Sequence, residues 1–145
     1  MICQMMTAIQ TPDLLFVYGT LRRGSDHANA ARLAAQSDWL GTATLAGALY
    51  RVSWHPALVL GGTDRVSGDL VRLHNPSASM PWLDAFEGCG QSNPPPYDYR
   101  REICVVTTSD GSANAMVYIW NLPLTGLAPI TSGDWLQQAK CEGPA

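Results

Sequence analysis

An apolar run that leads straight into a loop bounded by glycines sets the tightest limit on how this chain folds. Residues Leu14 to Val17 are of types that favour β-strands, and Gly19 and Gly24 then permit backbone turns that side chains would hinder. A strand that delivers such a loop into a helix presents backbone N–H groups that suit an anion or a developing oxyanion. The loop Tyr18-Gly19-Thr20-Leu21 is therefore a candidate binding segment.

Along the rest of the chain, short strand patterns outnumber helix patterns. Helices are expected at residues 25–35 with Ser25 or Asp26 as the cap, at about 79–86 with Asn75-Pro76-Ser77 as the opening segment and Gly88 as the end, and as a last short helix through residue 139. Strands are expected at 14–18, 42–52, 57–60, 66–73, 99–107 and 113–120, with turns at 61–64 and 109–112. This pattern predicts an α+β domain with a bent or barrel-like sheet.

The chain has 145 residues, the size of one domain. We place that domain at 13–139, between a flexible extension at 1–12 and a loose tail at 140–145. A formal net charge of -3 without basic clusters argues against a nucleic-acid partner. No apolar run approaches the ~18 residues of a membrane span, and the first ten residues lack a signal-peptide pattern. We therefore expect no membrane partner and a cytoplasmic location.

The cysteines and histidines give no metal-site pattern. Four cysteines occur without a C-x-x-C pair, and none of the three histidines has a metal-like partner two to four residues away. No metal is expected. Cys89 lies beside a candidate catalytic residue in the sequence, but with no histidine nearby we expect it only to line a site.

Glu87 is the carboxylate that the local pattern singles out. It ends an apolar helix segment with Trp82, Leu83 and Phe86, so the negative end of the helix dipole and the apolar neighbours raise its expected pKa. A raised pKa suits a group that carries protons near neutral pH. The alternative is an exposed helix-end residue, which local sequence alone favours because most glutamates are solvated. Asp84 is the competing carboxylate.

Tyrosines occur at the ends of several expected strands. Tyr18 follows the first strand, Tyr97 and Tyr99 flank the start of a later one, and Tyr118 lies in the last long one. Each taken alone is typical of packing with one satisfied hydroxyl. The sharper hypothesis is a set of polar aromatic tips around one cleft.

Several motifs occur in a fixed order. They are Tyr18-Gly19-Thr20-Leu21-Arg22-Arg23-Gly24, Val66-Ser67-Gly68-Asp69-Leu70, Leu83-Asp84-Ala85-Phe86-Glu87-Gly88, Tyr99-Arg100-Arg101, Ala115-Met116-Val117-Tyr118 and Ser132-Gly133-Asp134-Trp135. The ordered set covers residues 14–136 and resembles the gamma-glutamylcyclotransferase-like superfamily, closest to its gamma-glutamylamine cyclotransferase and avirulence-induced-gene-like branch. The resemblance implies a small mixed, mostly antiparallel barrel-like sheet with a few flanking helices.

The resemblance also implies an enzyme that cyclises a gamma-glutamyl amide or amine to 5-oxoproline, frees the amine and needs no cofactor. Glu87 matches the family's catalytic glutamate, which accepts and returns the proton. The residues that would bind the substrate are Tyr18, Gly19, Thr20, Leu21, Tyr99 and Tyr118. The alternative is a non-catalytic protein of the same fold that binds a small carboxylate. The leaving amine and the oligomeric state stay open.

Two departures from the family's pattern bear on the substrate more than on the fold. The segment from Gln91 to Pro96 is rich in proline and could reshape the mouth of the cavity. Asp69 stands where relatives often carry glutamate.

Overall fold

The computed structural model describes residues 13–52, 55–90 and 95–137. The predicted N-terminal extension and tail, and most of the proline-rich loop, lie outside these ranges. Within them the elements are β1 (Leu14–Val17), α1 (Ala28–Ala35), β2 (Ser37–Arg51), β3 (Pro56–Leu73), α2 (Pro76–Phe86), β4 (Tyr99–Thr108), β5 (Gly111–Trp120) and β6 (Ala128–Ile130). Residues 135–137 are also helical. None of the described helices has the length and apolar character to cross a membrane.

The six strands form one sheet that closes on itself. Their order is β3-β1-β5-β4-β2-β6, and β3 also pairs with β2, so five strands close a barrel and β6 extends it. The β1–β5 pair, which aligns Leu15 with Met116, is parallel, whereas the other pairs are antiparallel. The expected mixed, mostly antiparallel barrel-like sheet with flanking helices is confirmed.

The two longest strands are longer than the sequence pattern predicts. β2 begins at Ser37, five residues before the predicted start at residue 42, and passes through a register shift next to Gly41. β3 runs through residues 61–64, which we predicted as a turn between two strands. The register jumps from Ala46↔Arg65 to Gly47↔Leu60, so these four residues bulge out. The chain does leave the regular strand register at the predicted turn. The residues before and after it both pair with β2, so the two predicted strands form one.

Alternate residues of β1 face two separate cores. Phe16 belongs to a barrel core inside the sheet, together with Leu58, Val66 and Val117. The neighbouring Leu15 faces the other side of the sheet. Because successive side chains of a strand point to opposite faces, this short strand contributes to both cores.

The second core, the helix-side core, lies between the outer face of the barrel and the helices. Leu15 packs there with Leu33 of α1 and with Met80 and Leu83 of α2. The layer therefore holds both helices against the same part of the sheet.

The ends of the helices differ in detail from the prediction. His27, rather than Ser25 or Asp26, caps α1, because its Nδ1 accepts a 3.0 Å hydrogen bond from the Asn29 N–H. α2 begins at Pro76 after the cap residue Asn75, as the segment Asn75-Pro76-Ser77 predicts, so its first turn precedes the expected residues 79–86. Proline suits the first turn because its missing N–H would have no partner there.

β6 is a strand that local sequence does not reveal. Residues 121–129 carry no strand pattern, yet Ala128–Ile130 pair antiparallel with Leu49–Arg51 of β2. The pairing partner, not the three-residue sequence, decides its conformation.

Candidate active site

Backbone hydrogen bonds at the end of α2 hold Glu87 in place. The Cys89 N–H donates to the Asp84 carbonyl at 2.9 Å, and the Gly88 N–H donates to the Ala85 carbonyl at 3.2 Å. This is the Schellman arrangement, in which the residue after the helix cap adopts a left-handed conformation. Gly88 has φ +77°, so the predicted helix end at this glycine is confirmed. Glu87 is thereby fixed as the last residue before the chain turns.

The loop that follows β1 presents unused backbone donors. The Arg22 N–H closes a turn onto the Gly19 carbonyl at 3.1 Å, whereas the N–H groups of Gly19, Thr20 and Leu21 donate to no described residue. Gly19 packs tightly against Pro56, since a Cβ here would lie 2.7 Å from the proline Cδ. A side chain at Gly19 would therefore displace either the loop or β3.

A buried cluster of charged side chains holds the same loop in place. The Arg22 side chain, which is only 9% exposed, lies 3.5 Å from Asp69 and 3.0 Å from Asp134. Asp69 also accepts a 2.9 Å hydrogen bond from the Arg23 N–H. Arg22, Asp69 and Asp134 all belong to motifs of the sequence, but the contacts between them were not predicted. The available signal was the charged Asp69 within an apolar strand, but Asp69 and Asp134 lie 47 and 112 residues from Arg22 in the sequence.

All seven residues named as site residues from the sequence line one cavity. They come from the end of β1, the following loop, the end of α2, β4 and β5. The cavity has a volume of about 30 Å³, above the ~10–15 Å³ that a water molecule requires. It is lined by Glu87, Tyr18, Gly19, Thr20, Leu21, Tyr99 and Tyr118, together with Phe16, Val17 and Pro56. Tyr97, which sequence reasoning also considered, does not line it.

The Glu87 carboxyl is desolvated and makes no hydrogen bond to a described residue. Burial, and secondarily the charge of Asp84, raises its pKa to about 8. A group with this pKa exchanges its proton near neutral pH. The sequence predicted the direction of this shift from the helix dipole and apolar neighbours, and burial is the larger cause.

Asp84, the competing carboxylate, is already engaged. Its Oδ1 accepts a 2.6 Å hydrogen bond from the Tyr118 hydroxyl and lies 3.2 Å from the Arg101 guanidinium. These partners compensate its charge. The structure therefore separates the two carboxylates of α2 by role, with Asp84 holding other side chains and Glu87 available to the cavity.

The hydroxyl groups of Tyr18, Tyr99 and Tyr118 all donate hydrogen bonds to acceptors within the protein. Tyr18 donates to the Tyr118 carbonyl, and Tyr99 donates to the Pro56 carbonyl, both at 2.5 Å. Burial raises the pKa of Tyr18, Tyr99 and Tyr118, and the nearby Glu87 carboxylate adds to each shift. These phenols therefore stay protonated at neutral pH.

His55 contacts the hydroxyl group of Tyr99. Its Nδ1 lies 2.9 Å from the Tyr99 hydroxyl. Because that hydroxyl donates to Pro56, we assign the Nδ1 as the protonated nitrogen of His55. Burial lowers the pKa of His55, which favours this neutral form and makes His55 a positioning residue for Tyr99.

Cys89 is poorly suited to nucleophilic catalysis. Burial, with the charges of Asp84 and Glu87, raises the pKa of its thiol to about 11. Since the thiolate is the reactive form, this environment suppresses its reactivity. Cys89, which we expected to line a site, is not among the residues that line this cavity.

Comparison with known proteins identifies relatives over nearly the whole chain. A family model described as "Gamma-glutamyl cyclotransferase, AIG2-like" matches residues 15–137. The chain is 32% identical over 135 residues to the "Gamma-glutamylcyclotransferase family protein YtfP" of Escherichia coli (strain K12). That alignment covers 87% of this chain and 98% of the relative.

Solved structures show the same fold. The solution structure of ytfP from Escherichia coli matches with a TM-score of 0.63 and 28% identity, covering 86% of this chain and 97% of that one. YkqA from Bacillus subtilis matches with a TM-score of 0.67 and 26% identity. The match covers 92% of this chain and 44% of YkqA. An AIG2-like protein from Mus musculus, at 21% identity, a TM-score of 0.59 and coverage of 76% and 78%, shares the fold.

Proposed function

The chain belongs to the gamma-glutamyl cyclotransferase, AIG2-like family, and from this membership we propose that it cyclises a gamma-glutamyl amide to 5-oxoproline and releases the amine. One observation carries the proposal. A desolvated carboxyl, Glu87, lines the same small cavity as a loop, residues 19–21, whose N–H groups have no described acceptor. A proton carrier and anion-binding donors are the two groups that such a reaction requires.

The reaction uses a nucleophile that the substrate itself carries. The α-amino nitrogen of a gamma-glutamyl group attacks its own γ-carbonyl carbon and closes a five-membered lactam ring. The main task of the protein is then to hold the chain in the folded conformation, and correct orientation alone accelerates such reactions strongly. No covalent bond to the protein is required.

Glu87 is the proton carrier in this scheme. As a carboxylate it accepts a proton from the α-ammonium group, which frees the nitrogen lone pair for attack. The protonated Glu87 then donates that proton to the leaving nitrogen as the amide C–N bond breaks. The ring nitrogen, which became positively charged when it attacked, loses a second proton to the released amine. The amine departs as an ammonium ion, and Glu87 is again a carboxylate. The pKa of about 8 lets it perform both transfers near neutral pH.

The loop and Tyr118 stabilise the charges of the reacting group. Donors from Gly19, Thr20 and Leu21 would bind the oxyanion that forms at the γ-carbonyl, or the substrate carboxylate. The Tyr118 hydroxyl, which donates to Asp84, retains lone pairs that accept from the α-ammonium group. The cavity admits the reacting atoms rather than the whole substrate, so the amine part would extend toward solvent.

The test is a panel of gamma-glutamyl amides with amines of different size and charge, each paired with its α-glutamyl isomer as a matched control. Mass spectrometry would follow 5-oxoproline and free amine. We expect at least one gamma-linked compound to yield both products in equal amounts, and its α-linked isomer to yield neither. Binding of these compounds without any conversion would overturn the proposal in favour of a carboxylate-binding protein of the same fold.

A further inference from the structure

A second cavity lies between α1 and the outer face of the barrel. Its volume is about 110 Å³, larger than that of the candidate active site. Its walls include Val17 and Leu21, which also line the active-site cavity, Ala30 and Leu33 of α1, and Val71 of β3. The two cavities therefore share one wall, which belongs to β1 and the loop that follows it.

The walls of this second cavity are apolar, and its volume suits a small hydrocarbon group. The Ser37 hydroxyl, which also lines it, already donates to the Leu33 carbonyl at 2.7 Å. Protein interiors leave few voids larger than one water molecule, whereas an apolar cavity of about 150 Å³ binds benzene. A branched alkyl group or a small ring therefore matches the space under α1.

A cation stands at the edge of this cavity. The Arg23 guanidinium lies 4.3 Å above the ring of Trp39, and both residues line the cavity. Trp39 is 44% exposed, which is high for so large an apolar side chain. Arg23 forms no ion pair with any described residue. An apolar cavity with an uncompensated positive charge beside it is complementary to a molecule with a hydrocarbon group and a carboxylate.

We propose that this cavity is a second binding site, for a small carboxylate that carries a branched or aromatic hydrocarbon group. The hydrocarbon group fills the space between Ala30, Leu33 and Val71, and the carboxylate pairs with Arg23. A bound molecule contacts Leu21, so it also supports the loop that lines the active site. The inference concerns binding alone and stands or falls independently of the proposed reaction.

The experiment is a titration of the full chain with 4-methylpentanoate, followed by NMR of the Trp39 indole N–H and the Leu33 methyl groups. Acetate and the uncharged 3-methylbutan-1-ol serve as probes that lack the hydrocarbon group and the carboxylate, respectively. We expect saturable shifts with 4-methylpentanoate and much weaker ones with either control.

Three variants locate the bound molecule. Ala30→Leu fills the cavity and should weaken binding at least tenfold, whereas Ala31→Leu, the same change on the exposed side of α1, should leave it unchanged. Arg23→Gln keeps the cavity and should weaken binding by about fivefold, the range of an exposed ion pair.

Two results would overturn the proposal. One is the absence of saturable shifts at Trp39 and Leu33 in the wild-type chain, with Ala30→Leu only raising the melting temperature, which would identify the cavity as a packing defect. The other is binding that both Ala30→Leu and Arg23→Gln leave unchanged, because the molecule would then sit elsewhere.

Discussion

At the scale of single residues, Glu87 and Asp84 lie one helical turn apart and behave differently. Asp84 has Tyr118 and Arg101 as partners, whereas Glu87 is desolvated and its pKa rises to about 8. A carboxyl whose surroundings raise its pKa toward neutral pH is a typical candidate for acid–base catalysis. The candidate site therefore depends on what each carboxyl contacts rather than on the residue type.

The raised pKa of Glu87 makes a prediction for the pH dependence of the proposed reaction. Since the deprotonated form must accept the first proton, kcat/KM should rise about tenfold per pH unit below pH 8 and level off above it. The measurement is 5-oxoproline release between pH 6 and 9.5, with circular dichroism at each pH as a control for folding. A profile that is flat over this range would contradict the assignment of the pKa.

At the scale of elements, two short pieces of backbone position the chemistry. The Schellman turn after α2 presents Glu87, and the loop after β1 presents its N–H groups. The buried cluster of Arg22, Asp69 and Asp134 holds that loop. Removing the charge of Asp69 leaves the buried Arg22 only the partly exposed Asp134 as an ionic partner, which is more costly than losing an exposed pair.

Asp69→Asn should therefore destabilise the protein by about 1–3 kcal/mol and lower kcat/KM by about 10- to 100-fold, because the donors of the loop shift. The matched control is Asp13→Asn, which breaks the ion pair between Asp13 and Arg72. The side chains of these two residues are 48% and 51% exposed, so the loss should cost at most about 1 kcal/mol of stability. Urea unfolding and the 5-oxoproline assay measure the two effects. Equal losses in the two variants would show that the cluster does not hold the loop.

Local signals predicted the parts of the fold that depend on neighbours in sequence. β1, the β4–β5 hairpin and the helix end at Gly88 follow from apolar runs, turn residues and a glycine. The continuity of β3 and the presence of β6 depend on pairing with β2, which no local pattern encodes. The same holds for Arg22 and Asp134, since their contact joins distant parts of the chain.

At the scale of the whole molecule, the closed sheet brings the separate motifs into one place. β1 lies between β3 and β5, and its alternate side chains enter the barrel core and the helix-side core. This arrangement places the loop after β1, the end of α2 and the tyrosines of β4 and β5 around one cavity. The ordered motifs of the sequence are thus parts of a single site.

The central claim is that Glu87 carries the proton in the release of 5-oxoproline, and one measurement tests it directly. The measurement compares 5-oxoproline formation by the wild-type chain, Glu87→Gln and Glu102→Gln, with a gamma-glutamyl amide that the wild type converts. Glu102 is a partly exposed glutamate of β4 that pairs with Arg100 and does not line the cavity, so the second variant makes the same chemical change outside the cavity. All three should show the same folded circular dichroism spectrum.

We predict that Glu87→Gln lowers the rate by about 10²–10⁴-fold, the usual contribution of a positioned acid–base group. Glu102→Gln should keep the wild-type rate to within about twofold, because a change in an exposed ion pair has little effect. If folded Glu87→Gln releases 5-oxoproline as fast as the wild type, Glu87 does not carry the proton and the central claim is wrong.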